Sequence, residues 1–180
     1  MFDLTDTGWH PVMGDVQGGA VFSECGRYRH ELSRIWNRSK PWALWVGLNQ
    51  STANREVDDR TLKWETHYTY DVLQLGGLVN LNVFDIISNK PLEQFAVTAS
   101  LSSARNIETI THFALKAHTV IVAWGAIPPE FKKQTDAVAK SLLDAGCNLS
   151  CLGHTLDGHP CLPLLVRHDT PLQRWPRRSQ

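Results

Sequence analysis

Trp42-Ala43-Leu44-Trp45-Val46-Gly47-Leu48-Asn49-Gln50-Ser51 is the stretch whose reading decides the fold. It opens with an unbroken apolar run and stops abruptly at an asparagine. A strand with one wet face alternates apolar and polar residues, whereas a run like this one is buried on both faces, as in a parallel sheet. Three further runs read the same way: Gly77-Leu78-Val79-Asn80-Leu81-Asn82-Val83-Phe84, Thr119-Val120-Ile121-Val122-Ala123-Trp124, and Asn148-Leu149-Ser150-Cys151-Leu152. Helical patterns alternate with them. Phe131, Thr135, Val138 and Leu142 share one face of a helix that stops at Gly146, a natural residue just past a helix end. Ile107, Ile110 and Ala114 mark a second helix. A third, aromatic and less regular, runs from about residue 59 to about residue 75. Strand–helix alternation predicts an α/β fold, a three-layer α/β/α sandwich around a central, mainly parallel four-stranded sheet.

Residues 21–36 differ, because Tyr28, His30 and Leu32 alternate with Arg27, Arg29 and Glu31. This pattern predicts an antiparallel strand or hairpin added ahead of the core. The whole chain, residues 1–180, is expected to form a single domain. Residues 1–20 are an N-terminal extension, and 170–180, with Arg174-Trp175-Pro176-Arg177-Arg178, a frayed tail. The 180 residues are enough to bury a core. A composition of 42% hydrophobic and 20% charged residues is globular rather than disordered. No apolar run approaches the roughly 18 residues that cross a bilayer. The acidic start Met1-Phe2-Asp3-Leu4 has no signal-peptide layout, so a cytoplasmic monomer is expected. Lys+Arg and Asp+Glu both number 18, so any DNA contact must rely on a local patch rather than on net charge.

Cys147-x3-Cys151-x9-Cys161, with Cys25, loosely fits an iron–sulfur ligand set. The distance of Cys25 in sequence and the strand between Cys147 and Cys151 favour inert core thiols. Neither metal nor cofactor is expected, because the histidine spacings fit no standard zinc pattern.

In an open parallel sheet, ligands bind beyond the carboxyl ends of the strands. That rule selects four loops, starting at Asn49, Asn82, Trp124 and Gly153. In the first, Gly47 permits close backbone approach, and Asn49 and Ser51 offer groups that can hold a water or a sugar oxygen. Asp58 and Asp59 each fit either a general base or the cap of the following helix. The cap is favoured for Asp59, and Asp58 stays open as the base. In the second, Asn80 and Asn82 point to one side of their strand. They either close a turn through side-chain hydrogen bonds or read a base edge, since an amide carries donor and acceptor together. In the third, Trp124 packs in the core or against a ligand, and Gly125 permits a tight turn. The fourth, Gly153-His154-Thr155-Leu156-Asp157-Gly158-His159-Pro160-Cys161-Leu162-Pro163-Leu164, is either a plain turn or a working loop. His154 or His159 can stabilise a departing anion, and Leu162 or Leu164 can wedge into a base stack.

Two resemblances overlay this reading. Cys25-Gly26-Arg27-Tyr28-Arg29, Leu32, Arg34, Trp36, Leu48-Asn49-x-Ser51-Thr52-Ala53, Asp58-Asp59-x-Thr61, Asn82-x-Phe84, Asn106, Trp124-Gly125 and Cys151-Leu152-Gly153-x-Thr155-x-Asp157-Gly158-x-Pro160-x-x-Pro163-Leu164 resemble a family of small bacterial and phage proteins catalogued as a domain of unknown function. The order of motifs also resembles the uracil-DNA glycosylase superfamily, especially its mismatch-specific branch. There a Gly-Ile-Asn-Pro-Gly loop follows the first strand, and Gly47-Leu48-Asn49 is similar. A later strand presents an asparagine to the base, as Asn82 would, and Trp124-Gly125-Ala126 matches a Trp-Gly-Ala stretch. A final His-Pro-Ser-Pro-Leu-Ser loop enters the minor groove, and His159-Pro160-Cys161-Leu162-Pro163-Leu164 is similar. Gln50 departs from both families, which usually have proline there. The last motif departs too, so that the loop histidine is either His159 in a shifted register or absent.

The second resemblance implies a monofunctional DNA glycosylase that flips a base into a pocket and leaves an abasic site. Asn49 would hold the attacking water and Asp58 would take its proton. Asn82 would read the base, with Gly47, Gln50, Ser51, Trp124 and Thr155 also on the substrate side. His154 or His159 would stabilise the leaving base. Arg27, Arg29 and Arg34 would meet phosphates, or simply form a solvated strand face. No lysine is placed in these loops, and Lys63 is the nearest, so no Schiff base is expected. With no clear tyrosine wall and with the polar arm of Gln50, the pocket has room for a hydroxymethylated or glycosylated pyrimidine of phage DNA, which suits antiphage defence. The competing expectations are a non-catalytic nucleobase or nucleotide binder, an enzyme acting on free modified nucleotides, and a protein-interacting factor.

Overall fold

A computed structural model describes residues 16–50, 53–87 and 101–176. In chain order the strands are β1 (Gln17–Phe22), β2 (Arg29–Ile35), β3 (Ala43–Asn49), β4 (Gly77–Phe84), β5 (Thr119–Val122), β6 (Leu149–Cys151) and β7 (Gln173–Trp175). The helices are α1 (Arg60–Asp71), between β3 and β4, α2 (Asn106–Ala114), between β4 and β5, and α3 (Lys132–Asp144), between β5 and β6. All seven strands join one mixed sheet in the order β1-β2-β4-β3-β5-β6-β7. The pairings β4–β3, β3–β5 and β5–β6 are parallel, and β1–β2, β2–β4 and β6–β7 are antiparallel.

The α/β class therefore stands, but the sheet is larger and more mixed than the four strands expected. The residues 21–36 feature is the hairpin β1–β2, whose first strand begins inside the expected N-terminal extension. Within the expected tail, Gln173–Trp175 form β7 rather than a frayed end. Trp175 pairs with Leu149 and packs edge-on against Trp124, with ring centroids 5.1 Å apart. Three residues, two of them polar, are too few to show a period, and it is the burial of the Trp175 ring that holds them.

Alternation along the strands assigns the two faces. Leu44 and Val46 of β3 join Val79, Leu81 and Val83 of β4 in a core with Ile110 of α2 and Val138 and Leu142 of α3. On the opposite face Ala43, Trp45, Leu78 and Ile121 pack with Leu62, Trp64 and Tyr68 of α1. Each face carries its own apolar cluster, so the sheet is covered on both sides. The irregularity of α1 has a plain cause. Trp64 and Tyr68, one turn apart, stack at 5.0 Å, and Thr69 turns inward to accept a hydrogen bond from Trp45 Nε1 at 3.0 Å. At the end of α3, Gly146 adopts φ +80°. Its N–H donates to Leu143 and that of Cys147 to Leu142, a Schellman closure.

Candidate functional site

Toward the carboxyl ends of the central strands, the face covered by α1 loses its bulk. Trp45 is followed two residues on by Gly47, Ile121 by Ala123, and Leu78 by Asn80 and then Asn82. Strand side chains two apart share a face, so the large apolar residues fill the centre and the small and polar ones leave a hollow at the end. The result is a cavity of about 370 Å³. Its walls are Gly47, Asn49 and Gln50 of the β3 end, Asn80 and Asn82 of β4, Arg29 of β2, Asp59 and Glu65 of the α1 segment, and Leu162 to Leu165.

The floor is a polar ladder. Asn82 Nδ2 donates to Asn80 Oδ1 at 3.1 Å, and Asn80 Nδ2 donates to Glu65 Oε2 at 2.7 Å. Gly47 pairs with Asn82 in register, and a Cβ at Gly47 would stand 2.5 Å from Asn82 Oδ1. Glycine is required here for the room it leaves, not for its backbone angles. Asn106 at the start of α2 donates to the backbone carbonyls of Asn82 and Val83, both at 2.9 Å, which fixes the strand end from the other face.

Glu65 is 1% exposed. Burial pushes its carboxyl up to about 8, the Asp59 carboxylate adds to the rise, and the Asn80 amide and the Arg29 guanidinium partly offset it. Glu65 therefore rests mostly neutral near pH 7, able to donate or accept a proton. Arg29, also buried, is pulled down to about 10, chiefly by burial, and donates to the carbonyl of Ala53. Gln50 Nε2 donates to the Arg29 carbonyl at 2.8 Å. Among the described residues, Arg29 Nε and Gln50 Oε1 are buried without hydrogen-bond partners, and both residues line the cavity. Gln50 is thus part of the wall, bound back to β2, rather than a free polar arm. Asn49 stands exposed at the rim, with Nδ2 3.4 Å from the Gln50 carbonyl.

Several expected site residues lie elsewhere. Asp58 does not line the cavity. Its Oδ1 accepts from Arg34 Nη2 at 2.6 Å and Nε at 2.9 Å, and burial, partly countered by Arg34, raises its carboxyl. Arg34 is fully buried in that pair and cannot meet a phosphate. The neighbouring Asp59 accepts from Leu62 N at 2.7 Å as the α1 cap, and it also lines the cavity. Arg29 faces the cavity rather than solvent, while Arg27 is exposed. His154 lies against Cys151 and Gln173, with Nδ1 3.2 Å from Gln173 Oε1, away from the cavity. His159 and Thr155 are taken up in their own turn: Thr155 N donates to the His159 carbonyl at 2.7 Å, and His159 N to Thr155 Oγ1 at 3.1 Å. Only the downstream part of that loop reaches the site, with Leu162 and Leu164 each 40% exposed at its mouth. Trp124 is core, 1% exposed. Its neighbour Gly125, at φ +74°, donates to the Pro160 carbonyl, and a Cβ there would stand 2.8 Å from Leu162 Cγ. The Trp-Gly pair therefore seats the leucine loop instead of touching a ligand. Ser51 lies outside the described residues.

Glu65, Asn80 and Asp59 are the site residues that motif reading missed or ranked low. Leu62, Glu65 and Thr69 follow one another at helical spacing, so the stripe that buries Leu62 also buries Glu65. A glutamate on the inward stripe of a helix was the available signal.

Among the described residues, no group of three or more histidine, cysteine, aspartate or glutamate side chains is placed to hold a metal ion, and no helix is long and apolar enough to cross a membrane. No curated protein and no solved structure gives a significant match to the chain. A family model does match, over residues 29–164. That span holds every wall of the cavity except the last leucine, and the chain belongs to the family described as protein of unknown function DUF1643.

Proposed function

We propose that the protein is a monofunctional glycosylase that flips a modified pyrimidine out of DNA into this cavity and hydrolyses its N-glycosidic bond, leaving an abasic site. The observation that carries this reading is the Asn82–Asn80–Glu65 ladder on the floor of a 370 Å³ hollow at the strand ends. A hollow of that size is in the range of small-molecule sites, mostly apolar walls with a few convergent polar groups. The amide of Asn82 carries the donor and acceptor that a base edge requires. The exposed leucines at the mouth would fill the gap a flipped base leaves. The similarity of Gly47-Leu48-Asn49 and of the final proline–leucine motif to the uracil-DNA glycosylase superfamily supports the same chemistry.

In this mechanism Asn49 holds a water at the sugar side, and the Asp59 carboxylate takes the proton as the water oxygen bonds to C1′. The C1′–N bond breaks, and its electron pair leaves with the base. With Glu65 protonated and donating into the ladder, both amides turn over and an Asn82 N–H stabilises that negative charge. A modified base of phage DNA is the substrate class that an open-walled pocket suits, and antiphage defence is the setting it implies. The test incubates the protein with unmodified, uracil-containing and hypermodified phage DNA and scores abasic sites, with Asn49→Ala and Asn82→Ala as controls. Abasic sites on none of the three rejects the reading. A covalent adduct trapped by borohydride rejects the monofunctional assignment.

A second reading has one observation behind it. Positive and negative charges balance at 18 each, and Arg29 and Arg34 are both buried, which removes two of the three arginines expected to meet a DNA backbone. An enzyme or binder acting on free modified nucleotides fits that balance. DNA affinity that falls steeply with salt favours the first reading, and affinity indifferent to salt favours the second.

A further inference from the structure

The ladder beneath the cavity has a direction, and Glu65 sits at its end. An ionised carboxylate carries no proton and can only accept. It obliges Asn80 to turn its amide nitrogen toward α1 and its oxygen toward Asn82. Asn82 must then spend one N–H on Asn80, which leaves its Oδ1 lying over Gly47 on the cavity floor. An acceptor there meets a donor on the ligand. A protonated carboxyl can instead donate to Asn80, both amides can turn over, and the floor then offers an N–H.

The geometry points to Glu65 as a positioning residue that fixes the polarity of Asn82, so that the cavity selects nucleobases bearing an exocyclic amine over those bearing a carbonyl in the same place. This inference deepens the proposed function and rests on its placing of a base in the cavity. The charged groups that bear on Glu65 are Arg29 from β2 and Asp59 from the α1 cap, and the group that contacts it is Asn80 from β4. With its carboxyl at about 8, the ladder passes from reversible to fixed as pH rises through that value. The room above Gly47 keeps the chosen atom of Asn82 in reach, since any larger residue would displace the amide.

The experiment measures binding of 2′-deoxycytidine and 2′-deoxyuridine by ligand-observed NMR, for the wild type and Glu65→Gln, at about pH 6.5 and about pH 8.5. Glutamine keeps the shape and can both donate and accept, so it leaves the ladder free to turn. For the wild type, the preference for deoxycytidine rises about tenfold across the range, the value of one mispaired buried hydrogen bond. For Glu65→Gln the preference is small and flat with pH. A thermal melt of Glu65→Gln confirms that it is folded. Equal preferences in the two proteins at both pH values, or a wild-type preference for deoxyuridine at the higher pH, overturn the inference. A pH-dependent nucleoside preference without base release from DNA keeps the inference and rejects the glycosylase. Binding of neither nucleoside rejects both.

Discussion

Glu65 should make the protein less stable as the solution turns alkaline, and the size of the effect follows from its burial. In the unfolded chain its carboxyl titrates near 4.5, and in the folded protein at about 8. Between those values the folded state holds a proton that the unfolded state has lost. Stability therefore falls as pH rises, since the slope follows the excess of protons bound by the unfolded state. The contribution is whole below 4.5 and gone above about 8. At about 1.4 kcal/mol per pH unit, the full loss is about 5 kcal/mol, and roughly 3 kcal/mol of it is gone by pH 7. The side chain is 1% exposed, so solvent screening does not erase this. Urea unfolding of the wild type and Glu65→Gln across about pH 5 to about pH 8.5 isolates the effect, because every other titrating group cancels in the difference. Glu65→Gln should gain on the wild type by several kcal/mol toward the alkaline end. A difference that stays flat with pH would refute the assignment of a buried, proton-holding Glu65.

Three further outcomes follow from the packing. Gly47→Ala puts a methyl 2.5 Å from Asn82 Oδ1, so the amide must leave the ladder. The loss of one buried hydrogen bond, about 1–3 kcal/mol, should lower the melting temperature by several degrees and remove base binding, as calorimetry on both proteins would show. Asp58→Asn removes the countercharge of the fully buried Arg34 and should cost about 3 kcal/mol, whereas Asp59→Asn should fold nearly as well as the wild type and lose base release; the reverse pattern in paired denaturation and activity assays would restore Asp58 to the site. Leu164→Asp, at a position already 40% exposed, should leave the melting temperature within a degree or two while weakening DNA binding in a gel-shift titration.

The central strands were readable because burial on both faces leaves an unbroken apolar signature, and the rule that ligands sit at strand carboxyl ends led to Gly47, Asn49, Gln50 and Asn82, all of which line one cavity. Adjacent residues were not separable in the same way. Asp58 and Asp59 are identical in chemistry, and only the turn into α1 sends the first to Arg34 and the second to the helix cap and the cavity. The loop from Gly153 advertised two histidines, yet backbone hydrogen bonds within the loop decide which of its residues face the site, and those depend on the turn geometry. Glu65 was hidden because a lone glutamate on a polar helix reads as solvated surface. Its burial comes from the tertiary pairing of α1 with β4 through Asn80.

The distribution of unmet polar requirements is itself informative. Elsewhere in the interior Asn106 bonds two carbonyls and Trp45 finds Thr69, while Thr66 Oγ1 and Trp124 Nε1 are buried without a hydrogen-bond partner among the described residues. At the cavity two unpaired atoms share one hollow. Glu65 holds a proton against its ordinary preference, Arg29 Nε has no acceptor among the described residues, and Gln50 Oε1 has no donor. Buried polar groups are nearly always paired, because leaving one unpaired costs about 1–3 kcal/mol. Two such atoms beside one hollow add no stability there, and departures of this kind gather at functional sites. A ligand that offers an acceptor to Arg29 and a donor to Gln50 recovers part of that cost on binding. Its occupancy should then raise the melting temperature of the wild type by more than that of Arg29→Lys or Gln50→Met, since each variant removes one of the two waiting groups. Equal thermal shifts in wild type and both variants would show that the unpaired atoms are incidental to the site.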